Sequence, residues 1–244
     1  MDWTKAKSIL IIALIVTNIV LIFTYVFKAD AFVSTDETIL SDTIDLLNSK
    51  NIFIETTIPK KHNRMPVLTV EYDTIDQDIL EEQLLNQKPL SSLDQTDTNI
   101  ERMASEFIDR CNLLTENVRL DSIENKDNNF VITYKNYINE IPIEDSYIIC
   151  EISDGIVQNV KRYWLNPIEF GKTKKEVIPA VAALIKFMSE NDHDEKIYVE
   201  EISLVYWLDS SAFNTDSPVS DTAFPAWKIT YNHGKIMYIM AYEQ

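Results

Sequence analysis

Glycine is scarce in this 244-residue chain: only Gly155, Gly171 and Gly234 occur, where average usage of about 7% would supply roughly seventeen. A Walker loop, a dinucleotide fingerprint and a nucleophile elbow each need at least two closely spaced glycines. These three stand too far apart, so those enzyme classes are excluded. Histidine is as rare. His62, His193 and His233 are the only side chains whose ordinary pKa lies near neutrality, and each falls in an expected exposed turn. Basic residues are outnumbered, 22 Lys and Arg against 39 Asp and Glu, for a formal net charge of −17. Nucleic acid is excluded as a partner, because phosphate binding needs clustered Lys and Arg. Cysteine is limited to Cys111 and Cys150. Both sit at apolar positions of their own periodic patterns, where a disulfide and a pair of buried thiols remain open alternatives.

Charge is missing altogether from one stretch. Ile9 to Phe27 is nineteen residues without a charged side chain. As a helix at 1.5 Å per residue it spans about 28 Å, close to a hydrocarbon core of about 30 Å. The expected reading is one transmembrane helix over residues 8–27, in contact with the lipid bilayer and preceded by a short cytoplasmic N-terminus, residues 1–7. Lys5 and Lys7 precede the span, while Lys28 is diluted by Asp30, Asp36 and Glu37, which by the positive-inside bias puts residues 28–244 outside the cytoplasm. That part holds 20 basic and 38 acidic residues, net −18. Ala29-Asp30-Ala31 has the form of a signal-peptide cleavage site, but the apolar run exceeds the usual 7–15 residues of a signal. An uncleaved anchor is the favoured reading, with the protein in the cell membrane.

The remainder alternates helical and strand periodicity. Helices are expected over 36–48, 75–87, 99–113 and 172–190, and strands over 51–58, 66–72, 118–124, 130–138, 147–153, 156–165, 197–208, 226–231 and 235–242. Lys88 to Thr98 reads as a linker, and Asp154-Gly155 as a tight hairpin turn. The fold class is α+β, helices packed on antiparallel meanders. The expected divisions are 28–97, an N-terminal part, 98–170, a first helix-plus-meander module, and 171–244, a second. Asn129–Tyr134 and Ala226–Tyr231 align as an internal repeat.

Chemistry is thinly supplied. Asp192-His193-Asp194-Glu195 lacks the spacing of a calcium loop, and the paired carboxylates a glycosidase needs arise by chance among 38 acidic residues. No catalytic residue, metal ligand or cofactor is assigned. Candidate contact residues are of another kind. In the span, Ala13, Thr17 and Thr24 form a small-residue stripe with Asn18 beside it; such stripes let helices approach closely in lipid, where an amide seeks a partner. A plain anchor, its hydroxyls and amide satisfied by its own backbone, is the alternative. In the exported part, Tyr206, Trp207 and Trp227 lie on aromatic-rich strands, and Tyr206 and Trp207 must face opposite sides of the sheet. Aromatic residues are enriched at protein interfaces.

The opening Met1-Asp2-Trp3-Thr4-Lys5-Ala6-Lys7 runs directly into one apolar span containing Asn18. Leu46-Leu47-Asn48-Ser49-Lys50-Asn51-Ile52 ends a helix ahead of a strand reaching Ile58-Pro59. Later come Ile202, Leu204 and Tyr206, then Pro225-Ala226-Trp227-Lys228-Ile229. Together these resemble the YycI (WalI) family over essentially the whole chain. The resemblance implies a non-catalytic, bitopic regulator in low-GC Gram-positive bacteria. It would act with the related membrane protein YycH on the sensor histidine kinase of the WalK/WalR (YycG/YycF) system, which controls cell-wall metabolism. It also implies an extracytoplasmic fold resembling domains of YycH. The competing reading is a membrane-anchored protein that binds or hydrolyses cell-wall polymers.

Overall fold

Asp36 opens the first helix beyond the apolar run. Its backbone is extended and its carboxylate accepts the Thr38 N–H, so a helical donor without an intrahelical partner is satisfied at the start. The computed structural model describes residues 7, 11–21, 33–34, 36–62, 64–91, 95–126, 129–191, 195–208 and 220–242. In chain order these form β1 (Val33–Ser34), α1 (Glu37–Ser49), β2 (Ile52–Ile54), β3 (Lys61–His62), β4 (Leu68–Asp73), α2 (Gln77–Leu85), α3 (Asp97–Arg110), β5 (Val118–Lys126), β6 (Asn129–Ile138), β7 (Ile141–Ser153), β8 (Ile156–Phe170), α4 (Ala180–Glu190), β9 (Ile197–Trp207), β10 (Ser220–Tyr231) and β11 (Lys235–Met240). Residues 11–21 are helical, and the rest of the apolar run lies outside the described residues. Among the described residues no helix is long and apolar enough to cross a membrane.

The mixed α+β architecture rests on one nine-stranded sheet, ordered β2-β9-β10-β4-β8-β7-β6-β5 with β11 on β10. All pairings are antiparallel except β2 with β9 and the single pair Ile143–Tyr206 between β7 and β9. That pair completes a circuit of five strands, β9, β10, β4, β8, β7 and back to β9. The segments 28–97, 98–170 and 171–244 therefore share one sheet, because β4 pairs with both β8 and β10. Asn129–Tyr134 and Ala226–Tyr231 each belong to the second strand after a helix.

Two hydrophobic cores form. One collects α1, β2, β4, α4, β9, β10 and β11, with Leu47, Val70, Leu184, Phe187 and Trp227 fully or almost fully buried. The other collects α2, α3 and β6–β8 around Phe107, Phe130, Ile148 and Trp164.

Three expectations are corrected. The helix over 172–190 begins only at Ala180, because the residue before a proline avoids the helical region. Pro179 occupies the cap position, and Val177 and Ile178 reach the core from the segment ahead of the helix. The linker over 88–98 is docked rather than free. The Leu90 N–H donates to the Gly155 carbonyl at 2.8 Å, and Gln87 both donates to the Val157 carbonyl and accepts its N–H. Strand β7 starts at Ile141, six residues before the expected 147, after a turn in which Asn139 and Glu140 both adopt positive φ.

Candidate functional site

Where β6 meets β7, the pairing skips. Lys135 faces Tyr147 and the next residue, Asn136, faces Ile143, so Glu144, Asp145 and Ser146 form a bulge with no partner on β6. Bulges redirect side chains and bend the strand that carries them. Here the bulge buries Glu144 and Ser146 and leaves Asp145 half-buried, and the fold supplies partners for the two buried groups. Ser146 Oγ accepts the Leu165 N–H at 3.0 Å, and Asn136 Nδ2 donates to the Leu165 carbonyl at 2.8 Å. These side chains replace the ladder bonds that the displaced β7 backbone no longer makes to β8.

Glu144 faces the other way, toward the last three strands. Lys228 of β10 donates to its carboxylate at 2.5 Å, and Lys135 stands 3.6 Å away while also 3.7 Å from Asp121. The Glu144 side chain is 7% exposed and that of Lys228 11%, so the pair is largely desolvated. Carboxylate and ammonium alternate from Lys228 through Glu144 and Lys135 to Asp121, joining the middle strands to the last ones. Burial, then the Glu144 charge, raise the Asp145 pKa, with Lys135 and Lys228 pulling it back. Burial, then Glu144 and Asp145, push the Tyr238 hydroxyl up, so it stays protonated near neutrality. Sequence reasoning missed this cluster. Its one signal was Glu-Asp-Ser inside an apolar strand.

Beside it, Trp207 of β9 stacks on Tyr238 of β11, centroids 5.1 Å apart and planes 13° from parallel. The small, buried Ala226 of β10 lies between those strands. Trp207 is half-buried. Tyr206 and Trp227 face the opposite side as core residues, 2% and 1% exposed. Tyr206 donates to the Pro66 carbonyl and Trp227 Nε1 to the Ile178 carbonyl at 2.9 Å. Neither offers a partner any surface, which corrects their candidacy: strand alternation separates faces, and the α4 side of this sheet is the core.

In the apolar run, Ala13, Thr17 and Asn18 lie on the helical stretch 11–21 and are exposed; Thr24 lies outside the described residues. Thr17 Oγ1 donates to the Ala13 carbonyl at 2.9 Å, so its hydroxyl is engaged by its own helix. Cys111 and Cys150 are free and buried, and burial above all raises the Cys150 thiol to about 12, far from a reactive thiolate. Among the described residues no three His, Cys, Asp or Glu side chains are grouped to hold a metal ion; residues 192–194 lie outside them.

A family model described as "YycI protein" matches residues 33–242. No curated protein matches the chain. Among solved structures, the Bacillus megaterium YpeB C-terminal domain is similar at 14% identity with a TM-score of 0.36, over 64% of this chain. The match spans 62% of that structure's length.

Proposed function

The chain belongs to the YycI family, and from that premise we propose that it is a non-catalytic membrane regulator which binds a sensor histidine kinase of the WalK/YycG type together with a YycH-like membrane protein. The family is a regulatory one, associated with the YycG/WalK system. The observation that carries the proposal is the extent of the match, residues 33–242 of 244. The nineteen uncharged residues from Ile9 support a single span with the N-terminus cytoplasmic. In that span Ala13, Thr17, Asn18 and Thr24 supply the helix–helix contact. Thr17 acts there through its size, since its hydroxyl is engaged by Ala13. Outside the membrane, Trp207 supplies the aromatic contact.

Co-purification from detergent tests the reading. The wild-type chain is expected to bring down a sensor kinase or a YycH-like protein, and a chain that repeatedly purifies alone overturns it. Trp207→Ala is expected to keep the fold, losing about 1 kcal/mol with the stacked pair, and to weaken capture. Leu at positions 13, 17 and 24 with Asn18→Val fills the stripe without disturbing insertion. Unchanged kinase output and crosslinking in that variant would confine the contact to the exported domain.

A further inference from the structure

Strand β8 has one edge that is only partly covered. Strand β4 covers it from Phe170 back to Trp164, where Asp73 is the last paired residue. At the far end the Gln87 amide closes the edge on Val157, accepting its N–H and donating to its carbonyl. Between these, no strand pairs with this edge over residues 158–163 among the described residues. A cavity of about 510 Å³ opens there, walled by Ile75, Val160 and Trp164 on the apolar side and by Tyr72, Asp73, Gln77 and Arg162 on the polar side. That volume is within the range of small-ligand pockets.

Arg162 is the unusual member. Its side chain is only 5% exposed, and its guanidinium lies over the Trp164 ring, 5.5 Å from the centroid. Asp73 takes one N–H of Nη2 at 2.6 Å. Nε and Nη1, which carry three of the five guanidinium N–H groups, have no protein acceptor. Among the described residues with a buried side-chain atom lacking a partner, Arg162 alone is a cation. Arginine cannot shed its charge to lower the cost of burial, so donors left in this state call for an acceptor. Lys161 lines the same cavity but is engaged by Glu151, which leaves Arg162 as the anion-seeking group.

We propose that this notch captures the C-terminal residue of a peptide, its carboxylate on Arg162, its amide against the open edge of β8 and an apolar side chain against Ile75, Val160 and Trp164. A planar monoanion suits a single guanidinium already shared with Asp73: Nη2 keeps a second N–H, which with the unmatched Nε or Nη1 beside it forms the fork that pairs strongly with carboxylate. A dianion such as phosphate is disfavoured by the −18 of the exported part. Capture of terminal carboxylates and addition to a strand edge are both established ways of holding peptides. The site would give the regulator a ligand input that the family reading does not contain, and it stands independently of that reading.

Thermal-shift and calorimetric titrations of the full-length chain in detergent test it, with N-acetyl-leucine, N-acetyl-leucinamide and inorganic phosphate as probes. N-acetyl-leucine is expected to raise the melting temperature in a saturable way and the uncharged amide to bind at least tenfold more weakly. Arg162→Lys, which keeps the charge but loses the fork, is expected to weaken the carboxylate tenfold or more. Thr74→Trp, an exposed lining residue, should block entry while leaving Arg162 and the core untouched, so loss of binding there cannot be ascribed to unfolding. No shift with N-acetyl-leucine, equal binding of the amide, or unchanged binding by Thr74→Trp overturns the proposal. Tighter binding of phosphate than of the carboxylate also overturns it, in favour of an inorganic anion site.

Discussion

The two cores are built from the chain in opposite ways. The core under α3 draws all its buried residues from the stretch 80–164; the core under α1 and α4 joins residues 47–70 to residues 177–242 across that insertion, taking only Ile143 and Leu165 from the chain between. Helix α3 shows the matching difference in composition. It is charged on its outer face and buries Ile100, Ala104, Phe107 and Ile108 on the other. Helix α4 is apolar nearly all round, with Val181, Leu184 and Phe187 buried and α1 packed beside it. A helix that is covered on several sides can afford no polar face. Helix α3 thus announces its core by amphipathicity, and α4 by the lack of a polar face over most of its length. Contact between the two is made by sheet hydrogen bonds through β4 and by the desolvated Glu144–Lys228 pair.

The largest expected effect tests whether the cores are energetically separate. Trp227→Ala empties the non-local core and Phe107→Ala the local one, each at a cost of about 3–5 kcal/mol. With β4 bonded into both halves, urea unfolding followed by circular dichroism and fluorescence should show one transition, displaced by either substitution. Two resolved transitions, each moved by one variant only, would make the cores independent units.

Next in size is the polar connection. Lys228→Met leaves the Glu144 carboxylate buried without its closest cation, at a cost of about 3 kcal/mol. Replacing both partners, Glu144→Leu with Lys228→Met, is expected to recover most of that, since no uncompensated charge then remains. Lys135 keeps Asp121 in the double variant. A double variant as unstable as the single one would mean that the pair holds the two regions in register rather than merely balancing charge.

The hairpin glycines sharpen the comparison further. Gly155 has φ +73 and a side chain there would strike the Leu90 backbone, whereas Gly234 has φ +86 with open space around it. Gly155→Ala is expected to cost about 2 kcal/mol and Gly234→Ala about 1 kcal/mol. Equal losses in denaturant midpoints would show that the 88–91 segment yields to the clash.

Smallest is a pH effect at the junction. The Asp145 carboxyl has its pKa raised above 3.8 by burial and then by Glu144, so the folded protein holds that proton more tightly than the unfolded chain. Its favourable contribution is complete below about pH 3.8 and is lost as pH rises through the folded pKa. Asp145→Asn should therefore be more stable than the wild type at pH 7, with the gap closing as pH falls through that window. Melting temperatures measured from pH 3 to pH 8 check the sign.

Particular residues show why some features could be read in advance. Asp36 is a short polar side chain ahead of apolar periodicity and caps its helix, whereas Thr96, inside the segment read as a linker, caps α3 two residues earlier than expected. Asp154-Gly155 is a two-residue turn with positive φ at both positions, as its composition predicts. The Asn139-Glu140 turn has the same backbone without a glycine, and the first six of the thirteen residues of β7 went unread with it. Among the contact candidates, alternation alone placed Tyr206 and Trp207 on opposite faces, but which face was the core required the packing of α4.

Residue order by itself determined the periodic segments, the Asp154-Gly155 hairpin, the acidic balance and the family, because each depends on side chains only a few positions apart or on composition. The tertiary structure alone decided the rest. It set β4 between β8 and β10, paired Glu144 with Lys228 across 84 residues, and left Arg162 with donors unmatched at the edge of β8. Those outcomes follow from which distant strands pair and how far each extends. Backbone hydrogen bonding is indifferent to side-chain identity, so local patterns cannot specify it, and only the joint burial of both cores selects one arrangement.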